Sequence, residues 1–279
     1  MIARELKLKL TKKQEKAFEE YLRVLTGVYN WTIRKIKLSA KEGIYYTYED
    51  LQNIVTGHAK KIGIHSQVLQ QIVRQAHNAW ERCFKKLAKK PKLKSVHNKL
   101  KSFSFPQFDR KKLLLKTIKL PAFGEIRYFK QEIPKGKIKI VRIKKKASGW
   151  YAQLTIDAKH VFPVKNTEEK VGIDTGFKHL AILSDGIKIE NARNYIKGQE
   201  RLAQAQRGNR TKLAARLHER IANKRKDYSH KKSRTIIENY KYIAIGEDKL
   251  VPMAKKLGKS VGDAGIAQLR NFIVYKGGI

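Results

Sequence analysis

Two apolar runs that each end in acid restrict the fold of this chain more than any other feature of its sequence. The first, "KVGID", ends at Asp174, and the second, "YIAIGED", contains Glu247 and Asp248. The first run is apolar on both sides of its alternation, which is typical of a central strand buried on both faces. A carboxylate at the end of such a strand is costly to bury unless something binds it.

A central sheet can place the ends of these two strands side by side, so we expect the carboxylates of Asp174 and Glu247 to converge. Converging carboxylates favour hard divalent cations, Mg²⁺ or Mn²⁺. Paired cations about 3.5–4 Å apart can stabilise the attacking and leaving oxygens of a phosphodiester. The sequence therefore predicts a metal site for cutting nucleic acid.

Other interpretations of the acidic residues stay open. An Asp after a strand is often a turn residue or a helix cap, and for Asp174 alone that alternative carries equal weight. Asp185, in "SDG", is predicted to be a hairpin-turn residue. Asp263, before "AGIAQL", is predicted to be an N-cap rather than a third ligand. Three histidines are predicted to be structural or surface residues: His179, His218 and His230.

The charge of the chain points to a polyanionic partner. Its 63 Lys and Arg residues outnumber 24 Asp and Glu residues, which gives a formal net charge of +39. An excess spread over the whole length suits a phosphate backbone, with a membrane surface as the lesser alternative. The hydrophobic fraction of 41% is enough for packed cores, which excludes a disordered basic tail.

Several classes of protein are excluded by what the sequence lacks. It has no apolar run of about 18 residues that would span a bilayer. Its opening, "MIARELKLKL", lacks the continuous apolar core of a signal peptide, so we expect a cytoplasmic protein without a membrane partner. The single cysteine, Cys83, excludes a disulfide framework and a multi-cysteine zinc site.

Periodicity predicts an α+β chain that opens with a strand and continues into helices. Leu6, Leu8 and Leu10 alternate with lysines, which predicts a half-buried strand. Thr11 and Gln14 then predict a capping box at the start of a long helix.

A second long helix is predicted over "SQVLQQIVRQAHNAWERCFKKLAKK". Ser66 would cap it, its apolar stripe would include Phe84 and Leu87, and Pro91 would end it. All three tryptophans are predicted to lie in cores: Trp31, Trp80 and Trp150.

The rest of the chain alternates between β and helical patterns. From residue 96 to Asp157 it predicts short antiparallel strands, with a small barrel as one arrangement. "VFPVKNTEEK" is predicted to be a linker. After it come three strands in a meander, a long basic helical stretch, the "YIAIGED" strand and an amphipathic segment.

The ordered set of segments resembles one family over nearly the whole chain. "VGIDTGFKHLAILSDG" and "IAIGEDKLV" resemble the first and second catalytic motifs of the RuvC-type nuclease domain in TnpB, the transposon-encoded relative of type V CRISPR effectors. "SFSFPQF", "IKLPAFGEIR" and "ARLHERIANKRKDYSHKKSR" resemble other parts of that family.

The resemblance implies a domain order. It implies a first wedge strand at 1–10, a helical recognition module at 11–95, an oligonucleotide-binding-like wedge β-barrel at 96–165, and an RNase H-like RuvC domain at 166–279.

The resemblance also implies partners and chemistry. Members bind a guide RNA from the transposon end, recognise a short motif beside the target in double-stranded DNA, and cut DNA with three acidic residues and Mg²⁺. By position, Asp174 is the first acid and Glu247 the second. Members continue through a four-cysteine zinc ribbon to a third catalytic Asp, whereas this chain ends at Ile279. The resemblance therefore implies impaired cutting and no zinc in this chain.

Three functions follow as hypotheses: an RNA-guided DNA-binding protein with a RuvC endonuclease core, a catalytically inactive RNA-guided binder or repressor, and a non-specific basic nucleic-acid-binding protein. Basic residues beside the aromatic-rich stretch and in the basic helices are predicted to contact nucleic acid: Lys92, Lys94, Arg207, Arg210, Arg220 and Arg225.

Overall fold

The computed structural model describes residues 1–95, 97–158, 169–246, 258 and 263–277. The chain divides into two units, Met1–His160 and Val161–Ile279, and the class is α+β, as predicted. Within the described residues, none of the helices combines the length and the apolar character needed to cross a lipid bilayer.

The first unit contains a six-stranded sheet in which every neighbouring pair is antiparallel, in the order β2-β5-β6-β1-β4-β3. The opening strand is central, as its alternation suggests, because it pairs with β6 on one side and β4 on the other. The six strands are β1 (Ile2–Lys9), β2 (Ser102–Pro106), β3 (Thr117–Leu120), β4 (Gly124–Tyr128), β5 (Lys137–Lys146) and β6 (Gly149–Asp157).

Four helices lie between β1 and β2 in the sequence, so the chain leaves the sheet, forms a helical module and returns to the sheet. The predicted capping box is confirmed at the first of them, where Thr11 and Gln14 exchange side-chain to backbone hydrogen bonds. The helices are α1 (Lys12–Lys41), α2 (Tyr48–Val55), α3 (His58–Lys61) and α4 (Ser66–Phe84).

One core joins the helices of the first unit to its sheet. Phe18 of α1 makes edge contacts with Phe103 of β2 and Trp150 of β6, with ring centroids 5.7 and 5.0 Å apart. The Tyr21 hydroxyl accepts a hydrogen bond of 2.9 Å from the backbone N–H of His65. Burying such rings stabilises the fold by roughly 1.5–3 kcal/mol each, so this shared core holds the helices of the unit against its sheet.

Four expectations about the first unit are wrong. Helix α4 ends at Phe84, before Pro91, because Lys86 adopts a left-handed conformation (φ +56°) and the Leu87 N–H bonds to the carbonyl of Arg82. His65 rather than Ser66 is its N-cap, without a side-chain bond.

The apolar stripe of α4 and the tryptophan assignment also need correction. Phe84, the last residue of α4, is 55% exposed, and Leu87, beyond the end of the helix, is 68% exposed. Trp31 is 40% exposed on α1, whereas Trp80 and Trp150 are buried as predicted.

The second unit contains a four-stranded sheet in the order β10-β7-β8-β9. The predicted meander is confirmed, because β7 pairs antiparallel with β8, and β8 with β9. Among the described residues, the strands are β7 (Lys170–Thr175), β8 (His179–Leu183), β9 (Lys188–Glu190) and β10 (Tyr242–Ile245), and the helices with given bounds are α5 (Asn194–Arg207), α6 (Thr211–Asn239) and α7 (Ile266–Gly277).

The core of this unit lies on one face of the sheet. Val171 and Ile173 of β7 belong to a cluster with Ile236 of α6 and Leu269 of α7. The prediction of burial on both faces is wrong for β7, because Lys170 and Asp174 on its other face are exposed. The predicted linker lies almost entirely outside the described residues.

Candidate metal centre and nucleic-acid interface

The acidic end of β7 lies beside β10, as the two apolar runs predict. The two strands are parallel, with Ile245 opposite Ile173, and the Gly246 N–H donates to the Ile173 carbonyl at 3.1 Å. Parallel strands bring their carboxyl ends to one edge of a sheet. The chain position that precedes Glu247 therefore lies next to Asp174, while Glu247 and Asp248 themselves lie outside the described residues.

Alternation along β7 decides where Asp174 lies. Val171, Ile173 and Thr175 are buried on the core face, so Asp174 lies on the open face, where it is exposed and pairs with Ile182 of β8. No hydrogen bond or ion pair joins the Asp174 carboxylate to another described residue. It is available to a ligand from solvent.

The core side of the same strand end is fixed by an arginine. Nη2 of Arg270, in α7, donates a 2.8 Å hydrogen bond to Oγ1 of Thr175. This bond ties the residue after Asp174 to α7, so the strand end is held while its exposed face stays open.

The open face also carries a cleft of about 530 Å³ along β7 and β10. Lys170, Gly172, Tyr242 and Ala244 line part of it, and Gly172 pairs in register with Ala244. Small residues in adjacent strands leave the backbone accessible, and Lys170 adds a positive charge to the rim.

Asp185 is a turn residue, as predicted. Its Oδ1 accepts a 3.0 Å hydrogen bond from the Ile187 N–H, and its Oδ2 accepts a bond from the Tyr240 hydroxyl. The bond from Tyr240, followed by the one from Ile187, holds the pKa of Asp185 below its usual range. The same bond with Asp185 is the main cause that raises the pKa of Tyr240 to about 12.

Asp263 caps a helix, but a different one from the helix that the sequence suggests. It is 5% exposed, and its Oδ1 and Oδ2 accept from the N–H groups of Tyr195 and Ile196 at 2.6 and 3.5 Å. These are backbone donors in the first turn of α5, where the unpaired N–H groups attract a carboxylate. The sequence could not show this, because 68 residues separate Asp263 from Tyr195.

The histidines have structural or surface positions in the second unit. Nδ1 of His179 lies 2.8 Å from Oε1 of Glu190, and the ring of His230 stacks on Phe272 with centroids 3.8 Å apart. His218 is exposed on α6. Within the described ranges, no three or more His, Cys, Asp or Glu side chains form a group that could hold a metal ion.

The predicted nucleic-acid contacts lie in two regions. Lys92 is exposed, and Lys94 is anchored because its backbone N–H donates to Oδ1 of Asn30 at 2.7 Å. Arg207, Arg210 and Arg220 are exposed around the α5–α6 hairpin.

Arg225 differs from the other predicted contacts. It is partly buried, and its side-chain methylenes lie against Gly265, just before α7. It therefore contributes to packing in the second unit.

One basic cleft of the first unit was missed by the sequence reasoning. Its volume is about 480 Å³, and it lies between α4 and the β2–β5 pair. Arg74 and Arg82 line it from α4, and Arg142 lines it from β5, where its Nε donates to Oγ of Ser104 at 3.1 Å. The signal was the eight-residue spacing of Arg74 and Arg82, which places both on one helix face.

Comparisons with known proteins found similar sequences and a similar fold. Residues 153–255 match the OrfB_IS605 family, described as "Probable transposase", and this range includes both apolar runs that end in acid. The "Putative RNA-guided DNA endonuclease InsQ" of Escherichia coli (strain K12) is 30% identical over 240 residues, which is 76% of this chain and 60% of that protein.

These matches support a TnpB-like protein.

A second relative of this TnpB-like chain, a "Putative RNA-guided DNA endonuclease" of Streptomyces pristinaespiralis, is 29% identical over 231 residues, covering 76% of the chain and 57% of the relative. The chain thus spans about 60% of the length of the curated relatives it matches. A solved structure titled "Cryo-EM structure of the Cas12f1-sgRNA-target DNA complex" matches with a TM-score of 0.55 at 10% identity, over 96% of this chain and 72% of that one. At this identity the likeness concerns the fold.

Proposed function

We propose that this TnpB-like chain is an RNA-guided DNA-binding protein with an endonuclease core of the RuvC type. The observation that carries the proposal is the parallel pairing of β10 with β7, which brings the residue before Glu247 beside the exposed Asp174. The printed names of two relatives, a shared fold with a protein solved with RNA and DNA, and a net charge of +39 support it.

The domain order implied by the family resemblance is part of this proposal. Residues 11–95 would be the helical recognition module within a wedge barrel, and residues 166–279 would form the RNase H-like RuvC domain. The module's position between β1 and β2 of one sheet supports this order. Such a protein grips the backbone of an RNA–DNA duplex, while base pairing with the guide reads the sequence.

The described part of the proposed metal site fits Mg²⁺ or Mn²⁺. Asp174 offers hard carboxylate oxygens that no described residue engages, on a face open to solvent. Asp174 and Glu247 would together hold the ion, and a bound ion would supply charge neutralisation at the scissile phosphate and activation of the attacking water.

The chain's own residues would position the substrate. The open face of β7 and β10 leaves room for a phosphodiester, because Gly172 and Ala244 present almost no side chain there. Lys170 would draw the strand toward that face by its charge. On the opposite face, Arg270 holds the end of β7 through Thr175, so Asp174 keeps its place.

Metal-dependent cleavage of a guide-matched DNA tests the proposal. Asp174→Asn removes one charge and preserves shape, so we expect it to slow cleavage about 100-fold or more while guided DNA binding persists. The matched control, Asp185→Asn, makes the same change in the turn that follows β8 and should leave cleavage within a few-fold.

Two results would count against parts of this function. Cleavage by Asp174→Asn at the wild-type rate would remove the nuclease assignment and favour the RNA-guided binder without catalysis. DNA binding that ignores the guide sequence would instead favour a non-specific basic nucleic-acid-binding protein.

A further inference from the structure

Three aromatic rings form an exposed corner at one end of the helical module in the first unit. Phe84, the last residue of α4, stacks on Trp80 with ring centroids 5.6 Å apart and planes at 26°. Tyr45, between α1 and α2, meets Phe84 edge-on at 6.3 Å and 76°. Trp80 is buried, whereas Phe84 is 55% and Tyr45 70% exposed. We call Tyr45 and Phe84 on their Trp80 support the ring platform.

The ring platform has a buried base, Trp80, and its other two rings are exposed to solvent. Trp80 belongs to the core cluster of the first unit, so the ring beneath Phe84 is held in place. The early end of α4 leaves Phe84 at its last turn, and Leu87, after the intervening Lys85 and Lys86, is also exposed. Contiguous exposed apolar side chains of this kind mark interaction sites. Because Phe84 already stacks on one side, its open surface suits a further flat ring.

The surroundings of the platform are strongly basic. Residues 81–94 contain seven Lys or Arg residues and one acid, Glu81, which pairs with Lys85 at 2.9 Å. Nζ of Lys90 lies 5.6 Å from the centroid of the Trp80 ring. A stacking surface rimmed by cations suits a ligand that carries both flat rings and negative charge.

Single-stranded nucleic acid has this chemistry. Its bases stack on exposed aromatic side chains while its phosphates lie against basic residues. Intact duplex DNA keeps its base faces inside the stack, so it offers the platform no ring. Charge complementarity likewise favours nucleic acid over an apolar protein surface.

We propose that the ring platform binds an unpaired base of the RNA partner, with Phe84 and Tyr45 contacting the base and Lys86 and Lys90 contacting the flanking phosphates. The choice of RNA rests on the proposed function, in which the guide is bound before any DNA strand is opened. The platform would add a stacking site to the basic surface around it.

A short RNA oligonucleotide without secondary structure, carrying 2-aminopurine at one position, tests the platform on the full chain. Phe84→Leu keeps apolar cover on Trp80 but has no ring face, so we expect about 10-fold weaker binding and less quenching of the probe. Phe84→Tyr keeps the ring and should bind like the wild type. Leu115→Ala, at a leucine 69% exposed in the same unit, should also bind like the wild type.

The salt dependence separates stacking from charge. Phe84→Leu should leave the slope of log K against log salt unchanged, because stacking releases no counterions. Lys90→Gln should reduce that slope by about 0.7, the value for one phosphate contact on a single strand. A thermal melt of each variant confirms that the fold is retained.

Equal RNA affinity for Phe84→Leu and wild type would overturn the platform assignment, and so would tighter binding of the matching single-stranded DNA than of RNA. A self-association in sedimentation velocity that Phe84→Leu abolishes without changing RNA affinity would show that the platform binds a second copy of the chain instead. Failure of the proposed function gives a different pattern. Guide-independent DNA binding or unaltered cleavage by Asp174→Asn would leave the difference between Phe84→Leu and Phe84→Tyr in place.

Discussion

Two aspartates of the second unit differ in the hydrogen bonds that their carboxylates make. Asp185 accepts from a backbone N–H and from the Tyr240 hydroxyl, so its carboxylate is committed to the fold. Asp174, on the paired strand β7, has no such contact with a described residue and faces solvent. The sequence supported both a turn and a ligand for Asp174, and the ligand role stays a prediction.

The Tyr240–Asp185 bond predicts a pH window for stability. The pKa of Asp185 is lowered in the folded state, so its contribution is present above its unfolded pKa near 4 and lost as the pH falls. The pKa of Tyr240 is raised to about 12, so its contribution is present below an unfolded pKa near 10 and lost as the pH rises. Tyr240→Phe should therefore destabilise the protein at pH 7 and much less at pH 3.

Urea unfolding at both pH values measures that difference. Tyr242→Phe removes an exposed hydroxyl two residues further on and should change the free energy of unfolding little at either pH. An effect of Tyr240→Phe that is as large at pH 3 as at pH 7 would contradict the assignment of the bond.

At the scale of elements, the sequence predicted strands better than helix ends. Alternation located β1, and two apolar runs located β7 and β10, because burial on a pleated surface imposes a period of two. The end of α4 was missed because Lys86, rather than a glycine, adopts the left-handed conformation. The cap of α5 was missed because Asp263 reaches it from far along the chain. Such long-range contacts leave no local pattern.

The β5–β6 pairing predicts that Gly136 is hard to replace. Its φ is +143°, and a Cβ there would lie 2.4 Å from the backbone oxygen of Asp157. Gly136→Ala should lower the free energy of unfolding by about 2–4 kcal/mol through backbone strain and overlap. Gly43→Ala, where φ is +74° but no atom lies within 4 Å, should cost only about 1 kcal/mol. Equal losses in urea unfolding would show that the close approach does not matter.

Capping by Asp263 predicts a stability effect in the second unit. Asp263→Ala removes the acceptor for two N–H groups of α5 and should cost about 1–2 kcal/mol. Asp227→Ala removes an exposed partner of Lys231 and should cost less than about 0.5 kcal/mol. Chemical denaturation of both variants gives the comparison, and a smaller loss for Asp263→Ala would disprove the cap.

At the scale of the whole molecule, an excess of 39 positive charges predicts how the proposed nucleic-acid partner would be bound. Affinity for a phosphate backbone falls with salt in proportion to the number of phosphates contacted. Composition predicts such a salt dependence, but only the structure separates the exposed cations from those used in packing. Arg220 and Arg225 lie on one helix and differ in this respect.

These two arginines give a matched test. Arg220→Gln should flatten the salt dependence of nucleic-acid binding by about one unit of slope and leave stability unchanged. Arg225→Gln should lower the unfolding midpoint, because its methylenes pack against Gly265. Binding titrations at several salt concentrations and a thermal melt measure the slope and the unfolding midpoint of each variant. A lower midpoint for Arg220→Gln, or a flatter slope with an unchanged midpoint for Arg225→Gln, would contradict these roles.

The most direct test of the central claim is Mn²⁺ binding, followed by electron paramagnetic resonance, in wild type, Asp174→Asn and Glu247→Gln. If the carboxylates at the ends of β7 and β10 share one cation, wild type binds Mn²⁺ and each variant weakens that binding by a similar factor. The double variant should then lose little more than either single one. Wild-type affinity in Asp174→Asn, or independent losses that add, would show that the two acids do not form one metal site.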